Sequence, residues 1–312
     1  FYVMRFLLGA AEAGFFPGMI LYMREWFPAN ARARAVAWFM TANPLAGVVG
    51  SPISGTLMGL KGAGLAGWQW LFLLEGVPAI LLGFLVLSVL RDKPEEVSWL
   101  ERGEKDWLLA TLEKEQQQSG GRTSLDFWTT IRAVVLSLVY FALPACMYGV
   151  TFWLPTAIRS LSQLSIFTTG IVAVIPYLVT AAAMVLVGMS SDRTGERNWH
   201  TAISAFTGTV GLCIAAWAGA PWLVIAGMGL GMVGAQSMAG PFWAMATART
   251  SGTAAAASIA VINSLGNLGG YFGPVVIGLG GFRGGLLGIG AVMTVSGCIA
   301  LAVGAGKSSA GN

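Results

Sequence analysis

The stretch VMRFLLGAAEAGFFPGMILYM, Val3 to Met23, is apolar except for one arginine, Arg5, and one glutamate, Glu12. Seven residues make almost two helical turns, so on a helix the two side chains share a face, about 10 Å apart along the axis. The run is long enough to cross a bilayer. Each charge is costly there, and an ionisable residue inside a membrane marks a functional site by default. Whether the run is a membrane helix depends on the rest of the chain.

The 312 residues are 55% hydrophobic and 10% charged, with a mean hydropathy of +0.71. A soluble domain carries about 25% charged residues. Half of the charges, 16 of 32, fall between Arg91 and Arg132. What remains is long, nearly uncharged sequence rich in Gly, Ala and Leu. This composition specifies an all-α polytopic membrane protein with the lipid bilayer as its surroundings. A net charge of +4 in such a chain is no pointer to nucleic acid, and no nucleic-acid partner is expected. Cys146, Cys213 and Cys298 lie in separate apolar runs without metal or redox spacing and read as small core residues. The sequence offers no nucleophile triad, metal cluster or phosphate loop, so no enzymatic activity, cofactor or metal is expected. The chain opens on Phe without a signal peptide and reads as starting inside or at the edge of its first helix.

Runs long enough to span the bilayer are 1–23, 35–58, 68–90, 132–155, 166–189, 200–219, 221–245, 254–279 and 284–305, nine in all. The connections are short except for 91–131. Its stretch PEEVSWLERGEKDWLLATLEKEQQQ, from Pro94, reads as a short amphipathic helix outside the membrane, followed by a flexible SGGRTS. Alternate connections fall on opposite sides. One side holds fourteen Lys and Arg, the other only Lys61, Arg159 and Arg283. The excess puts the charged segment and the C-terminus in the cytoplasm, with residue 1 outside.

The second span reads NPLAGVVGSPISG (Asn43 to Gly55) and the eighth NLGGYFGPVVIG (Asn267 to Gly278). Both give Asn, Gly, Gly, Pro and Gly at nearly equal spacing, six helices apart, as in a transporter of two six-helix halves. The competing reading is that Gly and Pro are common wherever membrane helices pack closely. The segment GMSSDRTGERNWH (Gly188 to His200) joins the fifth and sixth spans. In it Asp192 suits a helix cap, while Arg193 and Arg197 suit carboxylates or helix C-termini. It reads either as a charged latch or as a solvated turn. His200 reads as a surface or capping residue.

DRTGER after a Gly closely resembles the signature loop between the second and third helices of each half in the major facilitator superfamily. Arg5 and Gly9, in RFLLG, match that superfamily's fourth-helix motif. The chain resembles one subgroup, the anion:cation symporters, which includes bacterial permeases for sugar acids, tartrate and phthalate. RFLLGAAEAGFFPGMILYMREWFPANARARA (from Arg5), GWQWLFLLEGVPAILLG (from Gly67), YGVTFWLPTAIRSL (from Tyr148) and NSLGNLGGYFGP (from Asn263) carry that likeness. The resemblance implies helices four to twelve of a twelve-helix fold. Residues 1–90 would be three helices of an N-terminal bundle, 91–131 a cytoplasmic central loop, and 132–312 a six-helix C-terminal bundle. It implies a monomer of the bacterial inner membrane that moves a small organic anion by proton symport, with Na⁺ in place of H⁺ as the alternative coupling ion. An exporter of the same fold working by proton antiport is the alternative, and an intramembrane enzyme or a sensor is a more distant one.

In this subgroup the fourth helix carries an arginine tied to the anionic substrate or to coupling, and a glutamate two turns on that carries the proton. Arg5 and Glu12 match both. A carboxylate in a low-dielectric cavity needs a fixed cation, and guanidinium stays protonated and forks onto two oxygens. A carboxyl buried near the midplane is pushed upward by desolvation, a nearby cation pulls it back, and a bound anion cancels that pull. The competing reading is a structural Arg–Glu pair. Glu75, in WLFLLEGVP, reads as a structural partner or an ion site. Asn43, Tyr148, Gln236, Asn263 and Asn267, with Ser237 and Trp153, supply the amides and hydroxyls of a substrate cavity, each with an interhelical hydrogen bond as its plainer reading. Glycines 47, 50, 55, 269, 270 and 273 are expected at close helix contacts.

Overall fold

The computed structural model describes residues 2–60, 62, 64–118, 127–162, 166–248 and 252–305. These form twelve helices: α1 (Tyr2–Glu12), α2 (Phe15–Trp26), α3 (Arg32–Met40), α4 (Ala42–Leu57), α5 (Gly67–Val89), α6 (Arg102–Gln118), α7 (Phe127–Ser162), α8 (Ile166–Thr194), α9 (Asn198–Trp217), α10 (Pro221–Ser237), α11 (Ala239–Thr247) and α12 (Gly252–Ala305). A 3-10 turn covers Pro94–Glu96, and no strand occurs among the described residues. Among the described residues, seven helical stretches are long and apolar enough to cross a membrane, and two of them, Tyr2–Trp26 and Pro221–Thr247, each join two helices. Of the nine expected spans, 35–58 is not among the seven, because the break at Thr41 leaves α3 with 9 residues and α4 with 16. The expected spans 254–279 and 284–305 fall in one stretch, α12, which is two helices meeting at Gly281, where φ is 69° and ψ is 166°.

Three expected single spans are broken, and each break precedes a proline. Pro17 has no N–H to give the carbonyl of Ala13, and α1 passes into α2 through Ala13 and Gly14. Pro44 likewise frees the carbonyl of Met40, and the chain bends at Thr41, whose N–H returns to Ala37 at 3.0 Å. Pro241 frees the carbonyl of Ser237, and α10 gives way to α11 at Met238. Pro144, Pro155 and Pro176 sit inside continuous helices. The segment from Gly188 is not mainly a loop, since α8 runs on through Asp192 to Thr194 and stops at Gly195 (φ 71°), a left-handed residue suited to closing a helix. The charged segment after Pro94 forms α6 as expected. The expected flexible stretch at 119–124 lies outside the described residues.

Packing is densest among α7 to α12, and glycine makes it possible. A Cβ at Gly269 or Gly273 of α12 would run into the backbone of α7 at Phe141 and Ala145. One at Gly211 of α9 would meet the backbone of Gly227 and Gly231 of α10. Where lipid is as apolar as Leu, helices associate by such close backbone approach. The core between them holds Leu136, Leu143, Met228, Met232, Phe242 and Trp243, all buried. α5 buries no residue at all. Its continuous Leu, Ile, Val and Phe surface is at home in hydrocarbon.

Candidate functional site

The charged loops of the basic face converge on the turn between α2 and α3. The first N–H groups of a helix have no partner within it and carry partial positive charge. At α3 they are taken by Asp192, from the last turn of α8. Its Oδ1 accepts the N–H of Ala33 at 3.2 Å, and its Oδ2 accepts that of Arg34 at 2.7 Å. Arg197, just beyond α8, pairs with the same carboxylate at 2.7 Å, and the two side chains are only 14% and 7% exposed. Arg197 also donates to the hydroxyl of Ser191 at 2.9 Å and to the carbonyl of Ala29 at 2.8 Å.

A second carboxylate reaches the same turn from α6. Both oxygens of Glu115 accept the N–H of Ala29, at 2.9 and 3.1 Å. Its Oε2 lies 3.5 Å from Nη2 of Arg32, which also donates to the carbonyl of Phe27 at 3.1 Å. Arg32 stands ahead of the apolar part of α3 with its side chain 9% exposed. Burial pulls its pKa below the usual guanidinium range, and the charge of Glu115 opposes that pull. Beside these groups opens a cleft of about 500 Å³, lined by Arg24, Arg32, Glu115, Asp192, Arg197 and Thr247 among others.

Deeper in the molecule an aromatic cluster joins three helices. The Phe16 ring of α2 lies 5.3 Å from Trp243 of α11 and 6.4 Å from Tyr140 of α7. Tyr140 lies 5.0 Å from Trp243 and 5.3 Å from Phe242. Phe16 is eight residues back from Arg24, about 12 Å along a helix. A layer of ion pairs and capped N–H groups therefore backs onto a layer of packed rings.

The expected site residues fall in several places. Arg5 lies in α1, with its side chain outside the described residues. Glu12 ends α1, and its side chain is exposed, as is every other described side chain of that helix. The burial expected for a midplane carboxyl is absent because none of the described residues covers this flank of α1. Asn43 is exposed on α4. Glu75 accepts a hydrogen bond from the Ser54 hydroxyl at 2.9 Å, tying α5 to α4. Asn267 donates to Oδ1 of Asn263 at 2.9 Å, four residues earlier on one face of α12. Tyr148, on α7, stacks on Phe152 at 6.4 Å and lies over Gly270 of α12. Gln236 and Ser237 are buried just before the break at Met238, and Oε1 of Gln236 and Oγ of Ser237 have no hydrogen-bond partner.

In the DRTGER segment Asp192 and Arg197 join, but Arg193 is exposed and makes none of the described contacts of the latch. His200 meets the Ser190 hydroxyl at 2.9 Å at the surface. Of the glycines, 47, 269, 270 and 273 lie at tight contacts, whereas Gly50 has open space where a Cβ would go, because its side of α4 faces no neighbour. Gly55 lies outside the residues whose contacts are described. Sequence reasoning missed Arg24, Arg32, Glu115 and the aromatic cluster. The repeated arginines of ANARARA hinted at Arg32. Glu115 is one acid among many in a charged helix, and nothing local marks it.

The comparisons with known proteins agree with this architecture. The Major Facilitator Superfamily model matches residues 1–274. A protein of Agrobacterium vitis named "Putative tartrate transporter" is 45% identical over 309 residues, covering 96% of this chain and 71% of its own length. A protein of Acinetobacter baumannii named "Quinolone resistance transporter" is 35% identical over 283 residues, covering 89% of this chain and 65% of its own. The crystal structure of the human organic anion transporter MFSD10 superimposes with a TM-score of 0.61 at 17% identity, over 90% of this chain and 66% of that one. That likeness is one of fold. The chain spans about two thirds of the length of these proteins. It belongs to the Major Facilitator Superfamily.

Proposed function

We propose that this chain forms most of a secondary transporter that moves a small organic anion across the bacterial inner membrane, in symport with a proton, by alternating access. The observation that carries the transport reading is the double latch on the turn between α2 and α3. Asp192 with Arg197, and Glu115 with Arg32, hold one face closed through contacts that part and re-form without unfolding a helix. The basic face is the cytoplasmic one, on its excess of Lys and Arg. Residues 1–90 act as one bundle, 132–312 as the other, and 91–131 as the cytoplasmic link that carries Glu115. The anion class is supported by the tartrate name of the Agrobacterium relative. Arg5 holds the carboxylate and Glu12 carries the proton. Asn43, Tyr148, Gln236, Asn263 and Asn267 bind the remaining polar atoms.

The test is uptake by the full-length protein in proteoliposomes under an imposed inward pH gradient, with labelled tartrate, a hexonate, phthalate and a hydroxyphenylacetate. Gradient-driven uptake of one acid is expected. In Glu12→Gln that uptake is lost while gradient-free exchange persists. A second reading, proton-antiport export, is favoured by the Acinetobacter relative named for quinolone resistance. Efflux of quinolones or cationic dyes with no acid uptake selects it.

A further inference from the structure

The cleft beside the latch contains more cationic donors than its acids use. Arg24, Arg32 and Arg197 face Glu25, Glu115 and Asp192 there. Asp192 is fully engaged by Arg197 and two backbone N–H groups. Glu115 is engaged mainly by the N–H of Ala29, with Arg32 at a longer 3.5 Å. Glu25 is exposed. Nη1 of Arg24 and Nε of Arg32 are buried and have no hydrogen-bond partner. A buried charged donor left bare is costly, and a cavity of about 500 Å³ has room to satisfy it. The same turn already receives two carboxylates of the protein itself, so its donors are of a kind that takes oxyanions.

We propose that this cleft is a second anion site, in which Arg24 and Arg32 together bind a small oxyanion of carboxylate or phosphate type. It lies nineteen residues along α1 and α2 from Arg5, roughly five helical turns, and so is separate from the site assigned to the transported solute. It does not depend on which solute is carried. The ligand comes either from solution or from the headgroup of an anionic phospholipid at this face. Because Arg32 is shared, the anion competes with Glu115, and binding loosens α6 from the turn.

The probe is radiolabelled inorganic phosphate, in equilibrium dialysis against the purified full-length protein in phosphatidylcholine nanodiscs. Saturable binding is expected. Arg24→Gln and Arg32→Gln each weaken it about tenfold or more, and Arg24→Lys recovers part of the loss. Glu115→Gln removes the internal competitor and tightens binding, an effect that misfolding cannot produce. Arg5→Gln leaves binding unchanged. In nanodiscs containing phosphatidylglycerol, a headgroup ligand displaces the free phosphate in the parent protein; a soluble ligand is not displaced. Phosphate binding that survives both Arg24→Gln and Arg32→Gln overturns the proposal. So does binding that disappears with Arg5→Gln. Absence of saturable phosphate binding in phosphatidylcholine, with no phosphatidylglycerol retained by the protein, overturns it equally.

Discussion

Asp192, in the last turn of α8, accepts the backbone N–H of Arg34, in the first turn of α3, at 2.7 Å. The two residues are 158 positions apart in the chain. One carboxylate thus caps a distant helix and neutralises Arg197, and that double duty makes it unequal to the other acid of the same turn.

Asp192→Asn is expected to cost about 3 kcal/mol, because it leaves Arg197 a nearly buried charge without its partner. Glu115, 31% exposed in its ion pair, is screened by water, so Glu115→Gln costs about 1 kcal/mol or less. Thermal unfolding of the two variants in detergent measures the difference. Equal losses refute the ranking.

Under the proposed alternating access, weakening the latch is expected to shift the protein toward a state open on this face. Thr247 is buried beside the cleft. A Thr247→Cys reporter, with the exposed Cys298 replaced by Ser, is expected to react with a membrane-impermeant maleimide about tenfold faster when Asp192→Asn is added, as for a shift of about 1.4 kcal/mol between two states. An unchanged rate means that the aromatic layer alone holds the face closed.

Gly273→Ala forces a Cβ into the backbone of Ala145, and α7 and α12 must move apart. A loss of about 1–3 kcal/mol is expected, as for overpacked cores. Gly50→Ala places its Cβ in open space, and a change within about 0.5 kcal/mol is expected. Chemical denaturation of both variants checks the contrast.

Gln236 carries a buried Oε1 with no acceptor role fulfilled. Gln236→Met removes an unsatisfied polar group at similar volume and is expected to raise stability by about 1 kcal/mol. If the amide serves substrate, uptake falls at the same time. A more stable protein with full uptake removes Gln236 from the cavity.

Gly281→Ala strains the positive-φ junction of the two helices in α12, with an expected loss of about 1 kcal/mol. Gly219, at the turn before α10, has ordinary backbone geometry and room for a Cβ. Substituting it with Ala is the control, and a melt that separates the two variants is the measurement.

The spans were legible because the bilayer imposes length and apolarity on each helix independently. Seven stretches stand as candidate crossings among the described residues. The breaks ahead of Pro17 and Pro241 were not separable in sequence from Pro144, Pro155 and Pro176, which continue their helices. Whether the carbonyl freed by a proline is absorbed by a gentle curve or a break depends on what packs against it. DRTGER pointed to charge at a helix end, and Asp192 and Arg197 are there. Their partner is the start of α3, which no spacing within the motif encodes. Arg193 lies in the same short motif and turns away, because successive helical residues project about 100° apart.

The sequence by itself therefore determined the solvent and most of the crossings, both set by composition and local periodicity. Only the tertiary structure decided which carboxylate meets which helix. Asp192 and Glu115 look alike among the other acids of their segments. Their donors are backbone N–H groups of Ala29, Ala33 and Arg34, a kind of group that every residue but proline carries. Long-range pairing of a side chain with backbone leaves no mark on the residue that receives it, so only the packing of α3, α6 and α8 selects the pair.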